Sequence, residues 1–246
     1  MPKKVEFYEE PYRDPDFIES LEGRTVRILS EYLSPMTRLE KARINSTILF
    51  LGSSKADPTD PKSPLFRYYW EAEELSYLLT RWSLGLKKSA GKEFVICTGA
   101  GPGVMEAANR GAKRAGGKSV GMNISLPQAQ NPNPYITPGL VFTFHYFFMR
   151  KFWLLYKARA AIIFPGGFGT LDEFFETATL IQTSKISRKE LTLILYGEDY
   201  WRHIVNFDKL VEVKAIAGED LDIFKFCSSP REAFNYLKKK LACFLL

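Results

Sequence analysis

Residues 164–173 read FPGGFGTLDE, with three glycines and a proline in positions 165–169 and two carboxylates close behind. A tight turn needs fewer glycines than this. Backbone without side chains lets an oxyanion approach main-chain N–H groups, and the start of a helix adds about half a positive charge. Phosphate is the natural guest of such a bend. A second bend of the same kind, TGAGPGVMEAAN (98–109), carries Gly99, Gly101 and Gly103. Neither is a P-loop, because no G-K-[ST] follows. The bend at 98–109 matches G-x-G-x-x-G only loosely, and the next strand, SVGMNISLP, supplies no carboxylate to hold a ribose, which argues against a nicotinamide cofactor.

Plainer readings compete with the chemical one. Thr170-x-x-Glu173 fits a capping box, which would account for Glu173 but not for the glycines upstream. Gly99 and Gly101 fit a simple strand-to-helix turn. Asp172 reads as a partner of the helix dipole. In FTFHYFFMRKFW (142–153) the aromatics read as core, whereas Arg150 and Lys151 in so apolar a helix must either snorkel to water or meet an anion. His145 reads as a satisfied core histidine before a pocket donor.

Elements that would position these residues follow from the apolar pattern. A helical arm is expected over 14–43, with apolar Phe17, Leu21, Ile28, Leu29 and Leu33 and a break at Ser34-Pro35. TILFLG, EFVICTG, SVGMNI, LVFTF, AAIIF and LTLILYG read as strands buried on both faces, since none alternates with polar residues. Helices are expected between them: about 67–89 (buried through Trp70, Leu75, Leu78, Leu79 and Trp82), the segment after Gly103, 146–159, and Thr170 to about Thr183. Closing helices are expected at 199–213 and 229–243. The alternation predicts an α/β, doubly wound parallel sheet with helices on both faces, residues 1–43 forming the arm and 44–246 one domain. Both glycine bends then fall beyond carboxyl ends of strands, where such sheets bind ligands.

Composition sets outer limits. The 246 residues are 46% hydrophobic and 25% charged, as in an ordinary globular protein. Cys97, Cys227 and Cys243 are far apart, and His145 and His203 lack ligand neighbours at helical spacing, so neither a disulfide framework nor a metal site is expected. The basic start lacks the apolar stretch of a secretory signal, and no run approaches a membrane span, so a cytoplasmic protein without a membrane partner is expected. A net charge of +6 is scattered, and Lys238-Lys239-Lys240 reads as a solvated helix face, so nucleic acid is not an expected partner.

PGGFGTLDE resembles the P-G-G-x-G-T-x-x-E signature of the Lonely Guy phosphoribohydrolases, long labelled possible lysine decarboxylases. The resemblance extends to FLGSS (50–54), TGAGPGVMEAANRGA (98–112), GMNISLP (121–127) and FMRK (148–151). It implies a Rossmann-like fold, a homodimer, no cofactor, and hydrolysis of the N-glycosidic bond of a nucleoside 5′-monophosphate such as AMP or a cytokinin riboside 5′-monophosphate. By the same resemblance, Arg150 and Glu173 are the catalytic pair. Gly101, Gly103, Val104, Gly166, Gly167, Gly169 and Thr170 would hold phosphate and ribose, with further contacts at Gly52, Ser53, Met122 and Lys151. Shorter family members have G-G-G-x-x-G-L-M-G where this chain has Ala100 and Glu106, which puts a negative charge near the expected phosphate loop. Walls of the base pocket are expected from Met122, His145, Phe148 and the 126–138 loop. The chemistry suits the residues, because cleaving C1′–N builds positive charge on the ribose that a carboxylate stabilises. No lysine stands out for a Schiff base. The alternatives are a carrier of a phosphorylated ligand, such as molybdenum cofactor, and a nucleic-acid module.

Overall fold

The computed structural model describes residues 10–127 and 131–245. Helices α1 (Pro15–Glu19) and α2 (Arg24–Lys41) come first. Asp14 caps α1 by accepting from the amides of Asp16 and Phe17. The expected break at Ser34-Pro35 does not occur: α2 runs through Pro35, and the chain turns earlier, at 20–23. Pro35 has no N–H for the carbonyl of Glu31 four residues back. That carbonyl instead accepts from the indole Nε1 of Trp153 at 3.0 Å. The carboxylate of Glu31 accepts from the amides of His145 (2.7 Å) and Tyr146 (3.3 Å).

Apolar runs form the central strands, buried on both faces. The seven strands are β1 (Thr47–Leu51), β2 (Val95–Thr98), β3 (Ser119–Ile124), β4 (Val141–Phe144), β5 (Ala158–Ile163), β6 (Thr192–Tyr196) and β7 (Phe224–Cys227). All neighbours pair parallel, in the order β4-β3-β2-β1-β5-β6-β7. The edge strands β4 and β7 alternate, with Thr143 and Lys225 exposed. The intervening helices are α3 (Phe66–Ala90), α4 (Val104–Arg114), α5 (Phe147–Tyr156), α6 (Phe168–Gln182), α7 (Glu198–Ile204), α8 (Phe207–Glu212) and α9 (Pro230–Leu241). Side chains alternate between two cores. Ile48 and Phe50 pack under α3, α4 and α9, while Leu49 and Leu51 pack under α2, α5, α6, α7 and α8. This is a Rossmann-like α/β sheet covered on both faces.

Several boundaries differ from expectation. Trp70 is 40% exposed and stacks under the Arg110 guanidinium, because the buried stripe of α3 runs through Tyr69, Ala72, Leu75 and Leu79 instead. Helix α5 stops at Tyr156, since Ala158 already pairs with Thr47. Two helices, α7 and α8, replace the one expected at 199–213, the Asn206 side chain capping the second. β7, the short edge strand FKFC, had no expectation at all. No helix of the described residues is long and apolar enough to cross a membrane.

The strand order reverses between β1 and β5: the chain leaves β1 toward β2 and leaves β5 toward β6. The loops after those two central strands therefore diverge and open a crevice between them.

Candidate active site

A cleft of about 340 Å³ occupies that crevice. Its two sides are stitched together at the base, where Ser53 N–H donates to the carbonyl of Pro165 at 2.9 Å. Gly166 packs close beneath: a Cβ there would lie 2.2 Å from Thr170 Oγ1 and 2.9 Å from Ser53 N. Only a glycine lets these groups converge. Its carbonyl accepts from the Tyr200 hydroxyl at 2.6 Å, which holds the bend from behind. By contrast, Cβ atoms added to Gly167 or Gly169 would meet nothing within 4 Å, and both residues line the cleft.

Helix α6 begins at Phe168, two residues before the expected start, and its N-cap Gly167 offers no side-chain cap. The amides of Phe168, Gly169 and Thr170 thus have no helical carbonyl to bond and border the cleft. Thr170 lies inside the first turn and Glu173 in the second, so the expected capping box is not formed. The Thr170 hydroxyl has no hydrogen-bond partner among the described residues, and the Glu173 carboxylate is left for other work.

Arg150 reaches the cleft from α5. Its Nε donates to the carbonyl of Met122 at 2.8 Å and its Nη2 to that of Gly99 at 3.4 Å. A Cβ on Gly99 would lie 2.3 Å from Nη2, so this glycine makes room for the guanidinium. Nη1 then stands 3.6 Å from Glu173 Oε1, with the two side chains 12% and 15% exposed. Burial pushes the Glu173 carboxyl up to about 7, against the opposing pull of Arg150 and then Lys151. A carboxyl so placed changes protonation near neutrality, beside a cation fixed by two carbonyls.

The bend at 98–104 has a different relation to the cleft. Gly101, Gly103 and Val104 are buried behind its wall and do not line it. Val104 N–H is already given to the Ser53 carbonyl at 3.1 Å, and a Cβ on Gly103 (φ +69°) would lie 2.3 Å from that same oxygen. Asn133 Nδ2 closes the bend by donating to the carbonyls of Ala100 (3.0 Å) and Gly101 (3.1 Å). Of the contacts expected from this bend, the Val104 amide is thus already spent within the protein.

Other expected contacts sort as follows. Gly52 and Ser53 line the cleft, and a Cβ on Gly52 would strike Phe164 and Val104. Met122 contributes its carbonyl to Arg150 while its side chain is buried in the core. Lys151 turns away, to Asp172 (2.5 Å) and Glu176 (3.2 Å), and because α6 starts at Phe168, Asp172 lies beyond its first turn, so Asp172 is an ion-pair partner rather than the expected dipole partner. Glu106 accepts from Tyr69 OH at 2.8 Å, on the α3 side, and brings no charge into the cleft. His145 is exposed and belongs to neither pocket nor core, and Phe148 is likewise exposed. The pocket walls come instead from Met105, Ile124, Leu126, Phe147 and Phe168. Of the 126–138 loop, Leu126 reaches the cleft, and residues 128–130 lie outside the described residues. Ser54 and Lys55 also line it and were missed. Their signal was position: they lie two and three residues past Gly52, just beyond the carboxyl end of the central strand β1.

Comparison with known proteins bears on this geometry. The family model described as possible lysine decarboxylase matches residues 105–237, which include Arg150 and Glu173. The chain belongs to that family. An Escherichia coli protein named pyrimidine/purine nucleotide 5′-monophosphate nucleosidase is 31% identical over 128 residues, 47% of this chain and 28% of that protein. The match thus spans about a quarter of the length of that curated relative. Among solved structures, a molybdenum cofactor binding protein from Rippkaea orientalis aligns with a TM-score of 0.51 at 22% identity, covering 79% of this chain and 96% of the other. A Moco carrier protein from Chlamydomonas reinhardtii aligns with a TM-score of 0.52 at 19% identity, covering 80% and 98%. These likenesses bear on fold. The family's descriptive label finds no matching lysine at 151: burial acts to lower that ammonium, but Asp172 and Glu176 outweigh it and hold it above its ordinary value. A Schiff-base lysine needs the opposite shift.

Proposed function

We propose that the protein hydrolyses the N-glycosidic bond of a nucleoside 5′-monophosphate, giving the free base and ribose 5-phosphate. The observation that carries this reading is the Arg150–Glu173 pair, 3.6 Å apart, in the same cleft as the uncapped start of α6. The phosphate sits at the amides of 168–170, with the Thr170 hydroxyl and Lys55 as side-chain partners. Its binding energy, remote from the bond that breaks, holds C1′ beside Glu173. Water adds to C1′ as the C1′–N bond breaks, and the bonding pair leaves on the base nitrogen. Glu173 takes the proton from the water, and a proton passes to the departing base, so no cofactor or metal enters the balance. Arg150, which does not give up its proton, keeps the carboxylate in place and faces the ribose oxygens.

The name of the E. coli relative supports this class of reaction. The test is incubation of purified protein with AMP, isopentenyl-AMP, GMP, CMP and UMP, with free base measured by chromatography. At least one substrate is expected to release base. Glu173→Gln is expected to lower that rate by about 10²- to 10⁴-fold while nucleotide binding persists. Binding of these nucleotides with no base released from any of them would favour the second reading, a carrier of a phosphorylated ligand. The fold shared with molybdenum-cofactor carriers supports that alternative. Cytokinin release is the reading to adopt only if isopentenyl-AMP is the preferred substrate. We further place the protein in the cytoplasm as a homodimer. Leu29 and Leu33 of α2 and Phe148, Phe152 and Tyr156 of α5, all exposed, would form the contact.

A further inference from the structure

We infer that the opposite end of the sheet holds a second binding site, for a small polyphosphate anion. A cavity of about 1010 Å³ lies at the amino ends of the central strands, next to Ser46, Phe94, Lys118 and Arg159. The parallel strands put the nucleotide cleft at their carboxyl ends, so the length of β1, about 17 Å, separates the two. Five cations line the cavity, Arg43, Lys87, Lys92, Lys118 and Arg159, against two carboxylates, Glu40 and Glu93. Five less two leaves +3 in one cavity, half of the +6 carried by the whole chain. Lys87 and Glu93 neutralise each other at 2.8 Å. The other four cations have no carboxylate within 4.0 Å among the described residues.

What three of those four touch is neutral. Lys92 donates to the carbonyl of Phe244 at 2.9 Å and Lys118 to that of Ala42 at 3.3 Å. The Arg159 guanidinium lies 5.1 Å from the centroid of the Phe244 ring, with no hydrogen bond from its donors to the described residues. Arg43 holds φ +58°, a left-handed conformation that glycine usually fills after a helix. Cations near the ends of α2 and α3 could serve merely to offset those helix dipoles. Lys118 and Arg159 belong to neither helix, are half-buried, and gain nothing from that account. A half-buried cation with unused donors facing a concave space is placed to meet an anion. Cations arriving from four separate segments around a concave space suit several phosphoryl oxygens on one small molecule better than a single phosphate or an extended nucleic-acid backbone.

The experiment is calorimetric titration of the full chain at about 0.15 M salt. Pyrophosphate and ATP are the polyphosphate probes, inorganic phosphate is the singly phosphorylated comparison, and an RNA oligonucleotide is the fourth arm. Expected is saturable one-to-one binding of pyrophosphate or ATP, tighter than inorganic phosphate, in the Glu173→Gln variant with its cleft already filled with AMP that it does not turn over. If AMP does not bind, the same titration is run without it, so failure of the nucleotide-cleavage reading is seen separately. Binding of both polyphosphates points to the phosphoryl groups alone, and binding of ATP only adds the base to what is recognised. Lys118→Gln with Arg159→Gln should weaken this binding about tenfold or more. Because Arg159 lies in a strand, Lys92→Gln with Lys118→Gln is the second variant, and melting curves verify the folding of both. Absence of polyphosphate binding overturns the proposal. So does binding unchanged in both folded variants, or an RNA oligonucleotide that outcompetes ATP.

Discussion

The two glycine bends look alike in sequence and do opposite things. At 98–104 the glycines are there for packing: Gly103 abuts the Ser53 backbone, Val104 N–H is given to Ser53, and Asn133 takes the carbonyls of Ala100 and Gly101. At 165–170 Gly166 alone is packed in this way, while Gly167 and Gly169 face open space and the helix start is uncapped. Three glycines can therefore mean closely packed backbone or accessible backbone, and what a Cβ would strike tells the two apart. The closed bend serves the open one at a remove, since Gly99 leaves the space in which Arg150 reaches Glu173.

Adding a methyl group to each bend tests that contrast. Gly103→Ala forces a left-handed alanine into a carbonyl, and a loss of about 3 kcal/mol or more is expected in denaturant titration. A variant that melts like the parent would break the comparison. Next in size is the open site's own instability. The folded Glu173 carboxyl titrates near 7, above its ordinary 4.5, so between those values the native protein holds a proton that the unfolded chain has lost. Stability from this group is therefore full below about 4.5 and falls as pH rises through 7. Glu173→Gln removes that slope, so its unfolding free energy in denaturant titration should be close to the parent's at pH 5 and exceed it at pH 8 by on the order of 1 to 3 kcal/mol. A variant less stable than the parent at pH 8 would mean that attraction to Arg150 outweighs burial. Smaller again, Gly167→Ala should leave stability within about 0.5 kcal/mol but weaken AMP binding about tenfold, as calorimetry would read it. The smallest change is expected for Ala100→Gly. Relief of a left-handed alanine (φ +67°) and loss of a buried methyl are each worth about 1 kcal/mol and nearly cancel, so the melting curve should barely move.

Much of the sheet was legible because five strands are largely apolar runs, a pattern set by burial on both faces, whereas β4, expected to be buried likewise, lies at an edge and exposes Thr143. FKFC was not legible, being short, alternating and at an edge. Pro35 misled because propensity knows nothing of Trp153, a partner more than a hundred residues away that takes up the freed carbonyl. The capping-box reading failed for a related reason: α6 starts at Phe168 on bare glycine backbone, a start with no side-chain signature. Arg150 drew notice as a charge in an apolar helix, but Lys151 beside it carried the same signal and proved to be an ordinary ion-pair partner. Which amides remain free is a property of tertiary hydrogen bonding, and no local pattern contains it.

Proline at 35 has one more implication. By vacating the Glu31 carbonyl it creates a socket for Trp153, and the same glutamate's carboxylate grips the amides that open α5, so one residue of α2 seizes α5 at two levels. Arg150 sits between those two anchor points. The placement of Arg150 beside Glu173 thus draws in part on a helix that precedes the first strand, and trimming that helix would loosen the seat of α5 without touching a single residue of the cleft.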